Sequence, residues 1–422
     1  MIVQQNTLLF WAFIVITVIL TLIITNRVNI KRNKINFKNI GLIEVVIGFI
    51  IYNILFWFQE FLYFKCKISM RSEKEALSNA YDWFDFTSHK DNFDTNKGDL
   101  SEGLYDNQYN KTPEEAMENK YDSYYKWLNL SAGKTLVDLG SGYCHWINYC
   151  KKRGVIVKGV TLSQPQKTLC KKNHKINVLL DDFRHYIQTT NDKMDAVTAI
   201  GTFEHLASMG MTTEHAKNIH NEMLRNIHRI LNPNGRALIT IMLMNPDYPK
   251  WTIYSNVDDK NKNKNNIVTL KDTIHIYNIT SFYGCGRYPT VPDYTSYVQN
   301  CFKIVKVKNY TEDYRWAGIN FGDNHWQNGK IYIDTPYRFM KMILYFLTDM
   351  WFFGRINYSI MKSWYWQFGG NQKTPIYNNN KSPILANIYV LEPKQKGCLG
   401  KSNPQASVSY THLTLPTKKR GG

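Results

Sequence analysis

The stretch LVDLGSGYCHWINYCKKRGVIVKGVTLS, residues 136–163, decides the fold. An apolar run leads to Asp138, and Gly140 and Gly142 then break the pattern before a segment of helical length that ends at Gly154. A second β-like run follows. A strand, a glycine turn, a helix and a second strand form the unit that binds nucleotide-like ligands at the carboxyl edge of a parallel sheet.

The same alternation of strand and helix patterns continues downstream. Strands that alternate with helices predict an α/β fold, a doubly wound Rossmann-like sheet with a parallel core and helical additions. The segments that continue the pattern are a strand in DKMDAVTAIGTFEH (192–205), a helix in HAKNIHNEMLRNIHRIL (215–231), and a turn and strand in NPNGRALITIMLM (232–244).

The glycine turn does not match a dinucleotide site. That fingerprint requires G-x-G-x-x-G and an acidic residue at the end of the next strand. Here His145 stands at the last glycine position, and the next strand ends at Thr161 without an acid.

The N-terminus predicts a membrane anchor. Thr7 to Thr25 is uncharged and about one bilayer long, and a basic n-region and cleavage site of a signal peptide do not accompany it. A second apolar run, Val45 to Phe58, fits either a short span or an interfacial helix. The predicted organisation is an anchor in 1–75, the main domain in 76–395, and a partly non-native tail in 396–422.

The chain is basic, with 52 Lys and Arg against 34 Asp and Glu and a formal charge of +18. This charge suits an anionic membrane or a nucleic acid, or it reflects biased composition alone. The seven cysteines include no C-x-x-C pair, so neither a disulfide framework nor a zinc site is predicted, and a reducing compartment is expected. Cys144 and Cys150 are interpreted as small core residues. No metal-ligand spacing occurs among the histidines.

Five motifs occur in order: VDLGSGYCHW, VKGVTLSQPQ, DDFRHY, AIGTFEHL and NPNGRALITI. Together they resemble the cyclopropane-fatty-acyl-phospholipid synthase family of S-adenosylmethionine-dependent methyltransferases, from about Ala80 to Leu391. The two apolar segments ahead of this domain are most similar to sphingolipid C9-methyltransferases, which methylate a double bond of a sphingoid base.

The resemblance implies S-adenosylmethionine as the cofactor. A sulfonium ligand with an amino-acid end needs backbone contacts and a carboxylate for its ammonium group. The resemblance places Asp138, Gly140 and Gly142 at the methionine part, Thr161 and Gln166 at the ribose, Asp182 and Phe183 at the adenine, and Ile200 at the pocket floor.

The reaction that the resemblance implies also needs a base. Methyl transfer to an alkene creates a carbocation, which requires apolar, aromatic walls and a group that accepts a proton. In the resembled family a bound bicarbonate is the base, held by a Cys, a Glu, a His and a Tyr. Glu204 and Tyr314 match the Glu and the Tyr, but Glu102 stands at the Cys position and Thr240 at the His position.

Two interpretations of Glu102 remain open. Its carboxylate could replace the bicarbonate ion, because a carboxylate desolvated beside Glu204 would have a raised pKa. Alternatively, Glu102 lies in a mobile loop and the alignment is displaced. A bicarbonate cofactor is therefore doubtful.

The predicted function is C-methylation of a double bond in a lipid acyl or sphingoid chain. The enzyme is expected to be membrane-anchored, to face the cytosol and to have no nucleic-acid partner. Two alternatives are an amine N-methyltransferase of the same family and an inactive protein that binds lipid or S-adenosylmethionine. The lipid, the type of product and the oligomeric state are left open.

Overall fold

The computed structural model describes ten ranges of the chain: residues 15–21, 28–29, 34–35, 46–48, 50–51, 101–207, 211–245, 287–317, 368 and 382–398. Residues 15–21 are helical, and Val28–Asn29 pair with Lys34–Ile35 as two antiparallel strands. In these ranges no helix is both long and apolar enough to cross a bilayer. Most of the predicted anchor and of the second apolar run lies outside the described residues.

The main domain is built on one seven-stranded sheet. Its strands are β1 (Thr135–Leu139), β2 (Ile156–Thr161), β3 (Leu179–Leu180), β4 (Met194–Ala199), β5 (Leu231–Met244), β6 (Phe302–Asn309) and β7 (Ile384–Pro393). The first five strands in chain order are parallel, and the last two add antiparallel strands at one side. The order of the strands across the sheet is β3-β2-β1-β4-β5-β7-β6.

Six α-helices with described bounds accompany the sheet, and residues 311–317 are helical as well. The six helices are α1 (Pro113–Trp127), α2 (His145–Lys151), α3 (Gln164–His174), α4 (Phe183–Thr189), α5 (Thr213–Ile230) and α6 (Val291–Cys301). One buried apolar cluster contains side chains of α4, α5 and α6, and a second contains those of α1, α2 and α3. Helices therefore cover both faces, which confirms the prediction of a doubly wound sheet with a parallel core.

Local sequence signals account for the start of α1. Thr112 and Glu115 form a capping box, in which each side chain accepts a hydrogen bond from the other's backbone N–H, and Pro113 occupies the first helical turn.

The beginning of β5 differs from its prediction. The pairing register with β4 shifts between Met194 and Ala196, so the expected turn at 232–235 lies within an irregular part of the strand.

The cysteine prediction is wrong in part. Cys144 is bonded to Cys170, and Cys301 to Cys398, although no disulfide was expected. The partners lie 26 and 97 residues apart, so only the fold brings them together. Cys150 is a free thiol in the core, as predicted for a small buried residue.

Candidate active site

The glycine turn after β1 has a backbone that few other residues could adopt. Gly140 has a φ of +84°, and a Cβ there would lie 2.1 Å from Cγ2 of Thr202. Gly142 has a φ of +50°, but a Cβ there would have no atom within 4 Å. Cys144 begins α2 in the left-handed conformation with a φ of 69°, at the position where the resembled family has glycine. The turn thus leaves open space beside a backbone that a ligand could approach.

Asp138 lies in β1 immediately before this turn and is 3% exposed. Its Oδ1 accepts a hydrogen bond of 2.6 Å from Oγ1 of Thr198 on β4. That hydroxyl accepts in turn from Nε1 of Trp146 at 3.2 Å. These two consecutive hydrogen bonds orient a buried carboxylate beside the glycine turn. A carboxylate is the group that the ammonium of a ligand requires.

Thr161 and Gln166 meet at the end of β2. Oγ1 of Thr161 donates to Oε1 of Gln166 at 2.7 Å, and both residues are 4% exposed. Ser163 caps α3 and donates its backbone N–H to Oγ1 of Thr161 at 3.2 Å. The two residues predicted at the ribose are therefore held together by a local network.

The residues predicted at the adenine follow the next strands of the sheet. Asp182 caps α4, and its carboxylate binds the Arg184 side chain, with Nη2 2.6 Å from Oδ2. Phe183 is buried, and Ile200, directly after β4, is partly buried against the second apolar cluster. Because β1 to β4 are parallel, all the cofactor residues predicted from the sequence lie at one edge of the sheet. The open turn and the buried carboxylate there fit S-adenosylmethionine.

Glu204 lies just beyond this edge, in a single helical turn formed by Phe203–His205. It is 5% exposed, and among the described residues its Oε2 has no hydrogen-bond partner. Burial raises the pKa of Glu204 to about 8, although the backbone N–H groups of Glu204 itself and of Met242 partly offset this effect. The site thus contains a carboxyl that can exist in its neutral form near neutral pH.

Glu102 lies against the same site from a different part of the chain. Desolvation by burial raises the pKa of Glu102 to about 8, against the lowering effect of the Tyr314 hydroxyl, which hydrogen-bonds to the carboxyl. The positive charge of Lys120 lowers this pKa as well, and the negative charge of Glu204 raises it. The structure therefore brings Glu102, Glu204 and Tyr314 together, while their catalytic roles stay predictions.

The segment that carries Glu102 packs tightly on α1. Leu104 donates its backbone N–H to the carbonyl oxygen of Ala116 at 2.9 Å, and Asn119 donates its amide to the carbonyl oxygen of Leu104 at 2.7 Å. A Cβ at Gly103 would lie 2.7 Å from Cβ of Ala116. Close contact between backbone and helix therefore fixes the position of Glu102.

Tyr314 is surrounded by aromatic rings. Its ring centroid is 4.6 Å from that of Phe368 and 5.7 Å from that of Tyr310. The Tyr310 hydroxyl hydrogen-bonds to Thr240, whose Oγ1 also accepts the backbone N–H of Gly201 at 2.8 Å. The position where the resembled family has His is thus filled by a buried threonine with two hydrogen-bond partners.

Sequence reasoning did not select Lys120 or Tyr310. Lys120 lies one helical turn from both Ala116 and Tyr124, which are buried. A lysine in the middle of such a buried stripe was the sequence signal that could have identified it. Tyr310 precedes Tyr314 by four residues, the spacing that puts two side chains on one face of a helical turn.

The histidines near the site are neutral. Burial lowers the pKa of His205 to about 3 and that of His220 to about 4. In the part of the chain that the structure describes, no three His, Cys, Asp or Glu residues are grouped as metal ligands would be.

Comparison with known proteins identifies relatives of this domain. The family model described as mycolic acid cyclopropane synthetase matches residues 72–350, more than half of the chain. A probable fatty acid methyltransferase of Mycobacterium tuberculosis is 37% identical over 97 residues. This match spans 22% of the present chain and 23% of that protein's length.

Solved structures share the fold at low sequence identity. The cyclopropane synthase MmaA2 of Mycobacterium tuberculosis matches with a TM-score of 0.55 and 20% identity, over 77% of this chain and 99% of that chain. The mycolic acid cyclopropane synthase CmaA1, complexed with SAH and CTAB, matches with a TM-score of 0.54 and 19% identity, over 76% and 99%.

Proposed function

The chain belongs to the mycolic acid cyclopropane synthetase family and is an S-adenosylmethionine-dependent methyltransferase, and from this premise we propose that it methylates a carbon–carbon double bond in a lipid chain. The observation that carries this proposal is a pair of desolvated carboxyl groups beside Tyr314, the partly exposed Glu102 and the buried Glu204. Such a pair can hold or release one proton near neutral pH.

The cofactor, when bound, supplies the methyl group. Methyl addition to an alkene leaves a carbocation on the lipid, which becomes neutral when a neighbouring C–H bond gives its electron pair to that carbon and its proton to a base. A carboxyl with a pKa near 8 is a stronger base than an ordinary glutamate, because burial disfavours its ionised form. The carboxyl pair therefore provides a proton acceptor where it would be needed.

Glu102 replaces the bicarbonate ion in this proposal. Its carboxyl already has the Tyr314 hydroxyl as a donor, and Thr240 leaves no imidazole at the second position that would hold the ion. The rings of Tyr310, Tyr314 and Phe368 favour a cation through their π faces and exclude water from it.

We further propose that the substrate is a membrane lipid and that the N-terminus anchors the enzyme. The support is the uncharged run from Thr7 to Thr25 together with the net charge of +18, which attracts anionic lipid. The resemblance of the N-terminal architecture to sphingolipid C9-methyltransferases favours a sphingoid base as the substrate. The basic residues that follow each apolar run favour a catalytic domain on the cytosolic side if the second run lies on the membrane surface.

Labelling of cells tests this function. Cells that express the full chain are fed methyl-labelled methionine, and their lipids are analysed by mass spectrometry. Wild type is expected to add one labelled carbon to an unsaturated chain, Glu204→Gln to add none, and the exposed-site control Glu214→Gln to match wild type. Label in a small amine with none in any lipid would contradict the proposal.

A further inference from the structure

Lys120 has a wholly buried side chain, with 0% of its surface exposed. It lies in the middle of the buried face of α1, between Ala116 and Tyr124. An ammonium group taken out of water costs several kcal/mol unless a negative or strongly polar partner compensates it. Such a residue therefore indicates a local need for positive charge.

The Lys120 ammonium lies against the segment that carries Glu102. Its Nζ is 2.6 Å from Oγ of Ser101, the residue that directly precedes Glu102. Nζ also lies 5.1 Å from the ring centroid of Tyr121, an arrangement in which the ring face favours a cation. Ser101 and Tyr121 hold the ammonium in place, and the charge acts on Glu102.

We propose that Lys120 is a positioning residue whose buried ammonium group makes Glu102, rather than Glu204, the carboxyl of the pair that ionises first and so accepts the proton. This inference rests on the proposed function, because it assigns the state of the proton acceptor in that reaction. Glu102 and Glu204 lie close together, and two such carboxyls share a proton because both cannot ionise at low cost. An ammonium beside Glu102 places the negative charge there and leaves the proton on Glu204.

Three other groups in the described part of the chain act on Glu102, and they do not supply this charge. The Tyr314 hydroxyl donates a hydrogen bond, the Glu204 carboxyl repels a second negative charge, and the buried Tyr310 hydroxyl is neutral. Among the described residues named here, Tyr314, Glu204, Tyr310 and Lys120, only Lys120 is cationic. Its removal should therefore change the ionisation of Glu102 more than a change at a neutral neighbour would.

Lys120→Met in the full-length enzyme tests the inference, with Lys126→Met, at an exposed position of the same helix, as the matched control. Methyl transfer is followed against pH on vesicles that contain an unsaturated phospholipid and an unsaturated ceramide. An opposite charge nearby lowers a carboxyl pKa by roughly 1–3 units, so the acidic limb of the rate profile should move up by that amount. Cofactor affinity should not change, and the control should match wild type in both measurements.

An infrared titration of the protonated-carboxyl band gives a readout that does not need turnover. Glu102→Gln and Glu204→Gln assign the two bands, and Lys120→Met should keep the Glu102 band to higher pH. If no vesicle lipid is methylated but this band still moves, the proposed function fails and the role of Lys120 stands. If neither the band nor the rate limb moves, Lys120 is structural only and the inference is overturned.

If Lys120→Met does not fold, the infrared titration of the wild type tests the inference by itself. The Glu102 band should then disappear at a lower pH than the Glu204 band, because the ammonium favours ionisation of the carboxyl beside it. Loss of the Glu204 band first would overturn the inference.

Discussion

Oδ1 of Asp313 lies 2.8 Å from the backbone nitrogen of Tyr105, and these residues are 208 positions apart in the chain. The same oxygen accepts the backbone N–H of Asp106 at 3.0 Å. One carboxylate thus joins the segment after Glu102 to the helical residues 311–317, which contain Tyr314. The contact explains how two distant parts of the sequence keep a constant spacing at the carboxyl pair.

Asp313→Ala should destabilise the protein because it leaves the backbone N–H groups of Tyr105 and Asp106 without their acceptor. A buried donor without a partner costs about 1–3 kcal/mol, so a loss of on the order of 2 kcal/mol is expected in denaturant unfolding. Asp313→Asn keeps one acceptor oxygen and should recover most of that stability. Equal losses in the two variants would show that the hydrogen bonds do not fix this segment.

The carboxyl pair should make the protein less stable as the pH rises. Burial raises the pKa of Glu102 and of Glu204 to about 8, above the value of an unfolded glutamate, so the folded state binds more protons. Stability from these groups is fully present below about pH 4 and is lost as the pH rises through about 8. The melting temperature should fall across this window, and Glu204→Gln should make the decrease smaller. A variant with the wild-type slope would contradict the raised pKa of Glu204.

Gly140→Ala should abolish binding of S-adenosylmethionine. The new Cβ would overlap Cγ2 of Thr202 at 2.1 Å, which forces the glycine turn to move. Gly133→Ala is the matched control, because Gly133 has a similar φ of +82° with nothing within 4 Å of its Cβ. The control should lose about 1–2 kcal/mol of stability from backbone strain and keep its affinity in calorimetry. Retained affinity in Gly140→Ala would remove the turn from the cofactor site.

The parts of the fold that follow from the sequence are those with local signals. The unit from Thr135 to Thr161 was predicted in full, because its apolar runs and its glycine turn lie next to one another in the chain. Non-local contacts were not predictable in this way. β7 joins the sheet by antiparallel pairing with β5 and β6, which lie far from it in the chain, and no periodicity encodes that pairing.

The candidate site shows the same division. Glu204 and Tyr314 were selected because they match motif positions of the resembled family, and Glu102 because it aligns with a third such position. Their proximity is a property of the fold, which the motifs do not specify. Lys120 was missed because burial of a lysine depends on what the fold places over it, whereas the residue type alone indicates exposure.

The full chain should fractionate with membranes and resist extraction by salt. The expectation rests on the uncharged run from Thr7 to Thr25, in which Ile16 and Ile19 lie on exposed parts of a helix. Ile16→Arg with Ile19→Arg should release the protein, since each arginine costs about 2.5–3.5 kcal/mol at the centre of a span. Ile16→Leu with Ile19→Leu is the control and should remain with membranes. Release of the wild type by salt alone would contradict the anchor.

The final prediction concerns the replacement of bicarbonate by Glu102. Wild type should need no bicarbonate, and Glu102→Gln should lose about 10²–10⁴-fold in rate, the usual contribution of a positioned general base, with cofactor affinity retained. Added bicarbonate should not restore that variant, because Thr240 has its hydroxyl engaged by Gly201 and Tyr310 and offers no second imidazole donor. Glu102→Cys with Thr240→His supplies the two missing side chains and should create an enzyme whose rate rises with bicarbonate. The rates are measured in buffers freed of carbon dioxide, with Glu102→Cys alone as the control. A wild type that already requires bicarbonate, or a Glu102→Gln variant with normal turnover, would show that Glu204 and Tyr314 hold the ion without Glu102.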